Sequence, residues 1–293
     1  MQRLCVTLAA SAVLSISGSA AALDAYTTNT AGELWVFDTA NPAGATLVGL
    51  ITGLQAGAAP EQVRGIDFRP ATGQLYALGS TGRIYTLNTA TAQATLVGDG
   101  MMPLGLNGSF FGFDFNPTVD RIRITSSNNQ NLRAHPTTGN LVATDGDLHF
   151  ANENSPFVVG SAYTNNFVGA MSTTLYDLDA RNSALLIQNP PNDGLVTTVG
   201  GLGVFFTGEA GFDIYTDFAA ANHAFAVLNV DTTRGGLVSS GFYTINLDTG
   251  AATQVGLLPS EGGTFRSLAV IPTPGAAVIS GLSVLGLGLR RRR

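Results

Sequence analysis

The chain has 293 residues, 36 glycines, a formal charge of −6, 14 arginines, no lysine, and only 12% charged residues. An acidic surface of this kind excludes nucleic acid and anionic lipid as principal partners, because both demand a basic footprint. Sparse charge and frequent glycine instead suit a sheet protein rich in tight turns.

Residues 1–22 carry Arg3, an apolar run from Leu4 to Ile16, and then Ser-Gly-Ser-Ala-Ala-Ala. That order reads as a secretory signal peptide cut near residues 20–22, so export is expected. The single cysteine, Cys5, falls inside it, which leaves the mature chain without a disulfide or a thiol nucleophile. Removing both tails, 1–22 and 273–293, takes away five arginines and no acid. Nine arginines then face 20 acidic residues, a formal charge of about −11. Such a surface suits neutral or cation-rich partners such as glycans.

Short apolar runs follow at 25–29, 32–39 and 45–49, and they match strands two to four of a unit that stands complete further on. The complete unit spans 63–98, with runs at 65–68, 74–78, 83–87 and 94–97 closed by Pro, Gly, Asn and Thr turns. Runs this short, rich in Ile, Leu, Tyr and Phe, predict four antiparallel strands. Copies begin near 63, 110, 158, 209 and 265, and the last stops after one strand. A four-stranded period of about 40–50 residues is the signature of a propeller blade. The split copy closes the ring. The prediction is an all-β chain, a five-bladed β-propeller of four-stranded antiparallel blades over 23–272, with N-terminal strands pairing with the last C-terminal strand. Between blades two and three, residues 141–157 look unlike a blade and are expected to form an insert.

At the C-terminal end, Ile271-Pro-Thr-Pro274 precedes fifteen uncharged residues, 275–289, and then four arginines. These residues resemble the PEP-CTERM sorting signals of Gram-negative bacteria, with Pro272-Thr-Pro274 in place of Pro-Glu-Pro. The resemblance implies an exosortase-type sorting protease as partner, transient anchoring through a transmembrane segment at 273–293, and display at or release from the cell surface. The internal copies also resemble a bacterial exported family known only as a domain of unknown function. The residues that carry this are 112–126 (GFDFNPTVDRIRITS), 131–139, 173–179 and 186–194. That resemblance implies a recurring exported domain and supplies no activity.

Candidate chemistry lies first on the inner strands. A small residue recurs there (Gly65, Gly112, Gly160, Gly211, Ser267), as crowding at an axis requires. Two residues later come Asp67, Asp114, Ala162, Asp213 and Ala269. The three carboxylates fit an acid–base set for glycoside cleavage. They equally fit caps on backbone amides between blades. Calcium in the channel is a third option, allowed by the carboxylates, but no loop signature points to it, and no cofactor is expected.

A second candidate is the pair Arg123 and Arg133, aligned with Tyr76 and Tyr85 of the preceding copy and expected on one face. Either both are solvated, or Asp145, Asp147 and Glu153 of the insert meet them and pin it over blade two. The loop 188–194, with Asn189, Asn192 and Asp193 stiffened by Pro190-Pro191, is a binding loop or a long turn. His135, His149 and His223 lack ligand spacing for zinc, and Trp35 is expected in the core. The leading expectation is a non-catalytic protein binding extracellular polysaccharide or a surface protein. The alternative is a polysaccharide hydrolase or lyase using Asp67, Asp114 and Asp213.

Overall fold

A computed structural model describes residues 23–55, 60–100, 103–231 and 238–272. The expected signal peptide and sorting segment lie outside the described residues. Among the described residues, no helix is long and apolar enough to cross a membrane.

In chain order, β1 (Asp24–Asn29), β2 (Glu33–Asp38) and β3 (Asn41–Leu50) form an antiparallel trio. Blade one follows as β4 (Val63–Phe68), β5 (Leu75–Gly79), β6 (Ile84–Leu87) and β7 (Ala94–Leu96). Blade two is β8 (Phe111–Asn116), β9 (Arg121–Ser126), β10 (Asn131–Ala134) and β11 (Leu141–Thr144). After a two-residue strand, β12 (His149–Phe150), come β13 (Val158–Tyr163), β14 (Leu175–Asp179), β15 (Ala184–Gln188) and β16 (Leu195–Gly201) of blade three. Blade four is β17 (Ala210–Thr216), β18 (Asn222–Asp231), β19 (Val238–Ile245) and β20 (Ala252–Leu257). Last, β21 (Phe265–Val270) pairs with β1 and supplies the inner strand of blade five. The inner strands β4, β8, β13, β17 and β21 touch in that order, and β21 returns to β4. This is the five-bladed propeller the repeats predict, closed by the split blade.

Each blade alone has two apolar faces and no room to bury them, so the cores form between blades. Tyr76, Leu78 and Ile84 of blade one pack on Phe113, Phe115 and Ile122 of blade two. Trp35 lies in the corresponding core of blades four and five, edge-on to Phe265 with ring centroids 5.5 Å apart. The turns follow from residue type. Gly73 closes the first hairpin of blade one at φ 69°, its amide donating to the Arg69 carbonyl at 2.8 Å. A side chain rarely adopts that backbone shape.

Two expectations need correction. Residues 141–157 are not one insert. Their first four form β11, the outermost strand of blade two, and His149–Phe150 adds parallel to β16 of blade three. The outer strand was hard to read because it is largely exposed and short, so its apolar signal is weak. Also, Arg133 corresponds to Thr86 rather than Tyr85. Tyr76 pairs with Thr86 and Arg123 pairs with Arg133, so the offset stays at 47 residues through both blades.

Candidate functional site

Asp67, Asp114 and Asp213 come together at the axis, each about 1% exposed. One carboxylate oxygen from each lies within 4.8 Å of the other two. The small residues two positions earlier make this possible. A Cβ at Gly65 would stand 2.5 Å from Phe113 Cβ, and one at Gly211 would stand 2.2 Å from the Ser267 carbonyl carbon. Each blade therefore approaches the next closely enough for its Asp to reach across. Asp67 Oδ2 accepts from the Phe115 amide at 2.8 Å, Asp114 Oδ1 from Tyr163 at 3.2 Å, and Asp213 Oδ2 from Val270 at 2.6 Å. The acceptor is always met by the residue after the equivalent inner-strand position of the next blade. Where that position lacks an acid, Asp213 Oδ1 takes the Ile214 amide that Ala162 cannot reach.

The three carboxyls are buried from solvent, and the void of about 10 Å³ on the axis is lined two positions earlier on the inner strands, by Gly65, Gly112, Gly160, Gly211 and Ser267 among others. Burial pushes the carboxyls of Asp67 and Asp114 well above the carboxylate range, reinforced by the neighbouring acids. Burial also raises Asp213 to about 6, against its amide donors. Asp177, on β14 and fully buried, is raised to about 7 by the same cause, although the Ser161 hydroxyl donates to it.

These shifts set a sign. In the unfolded chain the carboxyls titrate near 4, so unfolding releases protons between there and the higher folded values. Stability that is present in mild acid is lost as pH rises through about 6 and 7. In buffer with EDTA, the melting temperature at pH 5 should exceed that at pH 8 by roughly 5 °C or more. A melting temperature that rises from pH 5 to pH 8 under those conditions would refute the burial argument.

The arginines form the second constellation. Arg123 and Arg133 stand opposite each other on β9 and β10. Strand register also aligns Arg123 with Tyr26, Tyr76, Tyr176 and Phe225, so an aromatic occupies this position in the other four blades. Arg123 is 2% exposed and sits between acceptors. Its Nε donates to Tyr163 Oη, Nη1 to Asn131 Oδ1 and Asp145 Oδ2, and Nη2 to Asn192 Oδ1. Arg133 grips both oxygens of Asp145 through Nε and Nη2, at 2.7 and 2.8 Å. Burial opposes ionisation of Asp145, but the two guanidiniums outweigh it and hold its carboxyl below the usual range. Asp147 and Glu153 do not join the cluster among its hydrogen bonds.

The 189–194 loop is the β15–β16 turn, and its tip crosses to blade two. The Gly146 amide donates to the Asn192 carbonyl at 2.9 Å, and Asn131 Nδ2 donates to the Pro191 carbonyl at 3.0 Å. Between turn and blade lies a cavity of about 360 Å³, lined by Asn116, Arg121, Arg133, Tyr163, Pro191 and Asn192 among others. Arg123, Pro190 and Asp193 line it too, while Asn189 does not. Arg133, which lines this space, is 31% exposed. Arg121 and Tyr163 escaped the sequence reading. The signal for Arg121 was its alternation with Arg123, and Tyr163 was hidden in an apolar strand.

A family model described as a domain of unknown function, DUF4394, matches residues 33–269. No curated protein matches the chain in sequence. Among solved structures, a GH43 glycoside hydrolase with an engineered active site is 13% identical with a TM-score of 0.49, covering 92% of this chain and 55% of that one. PorZ, a surface component of the type-IX secretion system of Porphyromonas gingivalis, is 15% identical with a TM-score of 0.37, covering 76% and 26%. The extracellular domain of a putative one-component system from B. thetaiotaomicron is 13% identical with a TM-score of 0.37, covering 83% and 38%. The chain spans from a quarter to just over half the length of these proteins, and likeness at this identity reaches no further than fold.

Proposed function

This chain belongs to the DUF4394 domain family, and from that premise we propose an exported β-propeller that binds extracellular glycan or a surface protein without chemical turnover. The observation that carries this reading is the cavity between blades two and three. It combines guanidinium donors fixed by Asp145 with a ring and proline lining, Tyr163, Pro190 and Pro191. Polar groups held in place over an apolar floor are what a binding site needs to orient a ligand. Three guanidiniums (Arg121, Arg123, Arg133) face two carboxylates (Asp145, Asp193), so the site is locally positive on an acidic protein and favours acidic sugars. The axial carboxylates offer less support to a hydrolase, because each is occupied by backbone amides in a closed channel.

Export rests on the signal-like residues 1–22. Surface display rests on the Pro-Thr-Pro, apolar and arginine order at 272–293, which an exosortase-type protease would read. On this reading the mature protein is residues 23–272, either anchored briefly or released.

The test is a glycan array carrying reducing-end reporters, probed with the protein and with Arg133→Ala. Arg133 is partly exposed, so the variant should fold and lose roughly tenfold or more in affinity for uronate-containing glycans. Unchanged affinity in the variant would remove the cavity from consideration. Cleavage of a reporter by the native protein would replace binding with hydrolysis.

A further inference from the structure

The axial acids pose an electrostatic problem that their hydrogen bonds do not solve. Asp67, Asp114 and Asp213 face only backbone amides: Phe115 and, more weakly, Phe68 on the first, Tyr163 on the second, Ile214 and Val270 on the third. Neutral amides cannot compensate three like charges in a dry site, where each buried carboxylate needs a counter-charge or a proton. No arginine or histidine pairs with any of the three among the described residues. A separate observation points to what is wanting. Asp67 Oδ1 is buried and has no hydrogen-bond partner of ordinary geometry, on the same carboxyl group whose Oδ2 takes the Phe115 amide, and the Phe68 amide next in the chain compensates it only in part. A buried acceptor without a donor is rare in a folded protein and calls for an explanation.

We propose that Asp67, Asp114 and Asp213 hold a calcium ion on the propeller axis, tying blades one, two and four together. The donor set is all oxygen, which selects a hard cation over zinc or copper. Within that class calcium tolerates irregular carboxylate geometry, whereas magnesium demands a strict octahedron and keeps several waters, which a buried site between three separate blades does not supply. The ion gives Asp67 Oδ1 a partner and supplies the missing positive charge. Because the axis is closed, the ion enters while the ring forms and leaves only when it opens. Its role is to fix the ring, and it is independent of the cavity between blades two and three.

The experiment begins from protein unfolded in guanidinium with EDTA. It is refolded at pH 8 in either 1 mM CaCl₂ or EDTA, then gel-filtered into metal-free buffer. Bound metal is counted by mass spectrometry and the melting temperature recorded. The expected result is one calcium per chain and a melting temperature on the order of 10 °C above the EDTA sample. Asp67→Asn should lose both the calcium and the shift. If that variant does not fold, Asp114→Asn serves the same purpose. No retained calcium with equal melting temperatures overturns the proposal. So does calcium that persists, with its shift, in the folded variant, since the ion then sits elsewhere.

Discussion

Asp145→Ala is expected to destabilise the protein by about 3–5 kcal/mol, the usual cost of leaving a buried charge without its partner. The reason lies in where Arg123 sits. Its side chain is 2% exposed, that of Asp145 is 6% exposed, and among the described residues this carboxylate is the one anion bonded to that guanidinium. The remaining partners, Asn131, Asn192 and Tyr163, are neutral. Removing the acid also frees Arg133 from its two-point grip, but Arg133 reaches solvent and loses little. A second substitution isolates the cause. Because the other four blades place Tyr or Phe at this register, Arg123→Phe on top of Asp145→Ala should recover much of the loss. Urea denaturation measures both. A single-variant loss below about 1 kcal/mol would mean that the cluster carries no net stability.

Gly211→Ala is expected to be at least as damaging, about 3 kcal/mol or more, although it adds one methyl group. Its Cβ would stand 2.2 Å from the Ser267 carbonyl carbon, 2.3 Å from its oxygen and 2.6 Å from the Leu268 nitrogen. All three are backbone atoms of the neighbouring inner strand, so no rotamer change relieves the overlap. Overpacking against movable side chains costs about 1–3 kcal/mol. Here blades four and five must separate at the axis, which also stretches the Val270 amide away from Asp213. Gly201→Ala, on an exposed edge with nothing within 4 Å, is the control and should be neutral. Equal stability of the two variants in thermal melts would contradict the close approach.

The fold was legible because the repeat is written in turn residues and apolar runs, which each blade must keep to make hairpins. The split blade was legible for the same reason: 25–29, 32–39 and 45–49 have the pattern of strands two to four. What failed were one-residue and edge features. Tyr85 and Arg133 look alike in spacing, yet only strand pairing shows that Thr86 is the counterpart. Strand β11 is exposed and four residues long, so burial leaves little mark on its composition. At the axis, the equivalent positions of Asp67, Asp114 and Asp213 were visible. Their amide partners in the next blade were not, since a backbone donor has no residue type to read. Asp177 carried no chemical signal in the sequence, because its partner Ser161, itself paired with Thr125, comes from a different strand. The reach of the 189–194 turn onto blade two was hidden likewise, because beside the Arg123–Asn192 bond its contacts run through the carbonyls of Pro191 and Asn192.

The closure of blade five has a consequence for how the chain matures. Thr27 Oγ1 donates to the Ser267 carbonyl across 240 residues of sequence, and β1 takes its whole inner ladder from β21. Nearly every other strand can pair within its own hairpin, but this ladder waits for the final residues of the domain. Contacts of such separation form slowly. Meanwhile β1 presents an open row of amides and carbonyls that any β21 can fill, including one from a second molecule. Strand exchange between copies is therefore the characteristic hazard of this architecture, and dilution or fast delivery of residues 265–270 is what keeps each ring to a single chain.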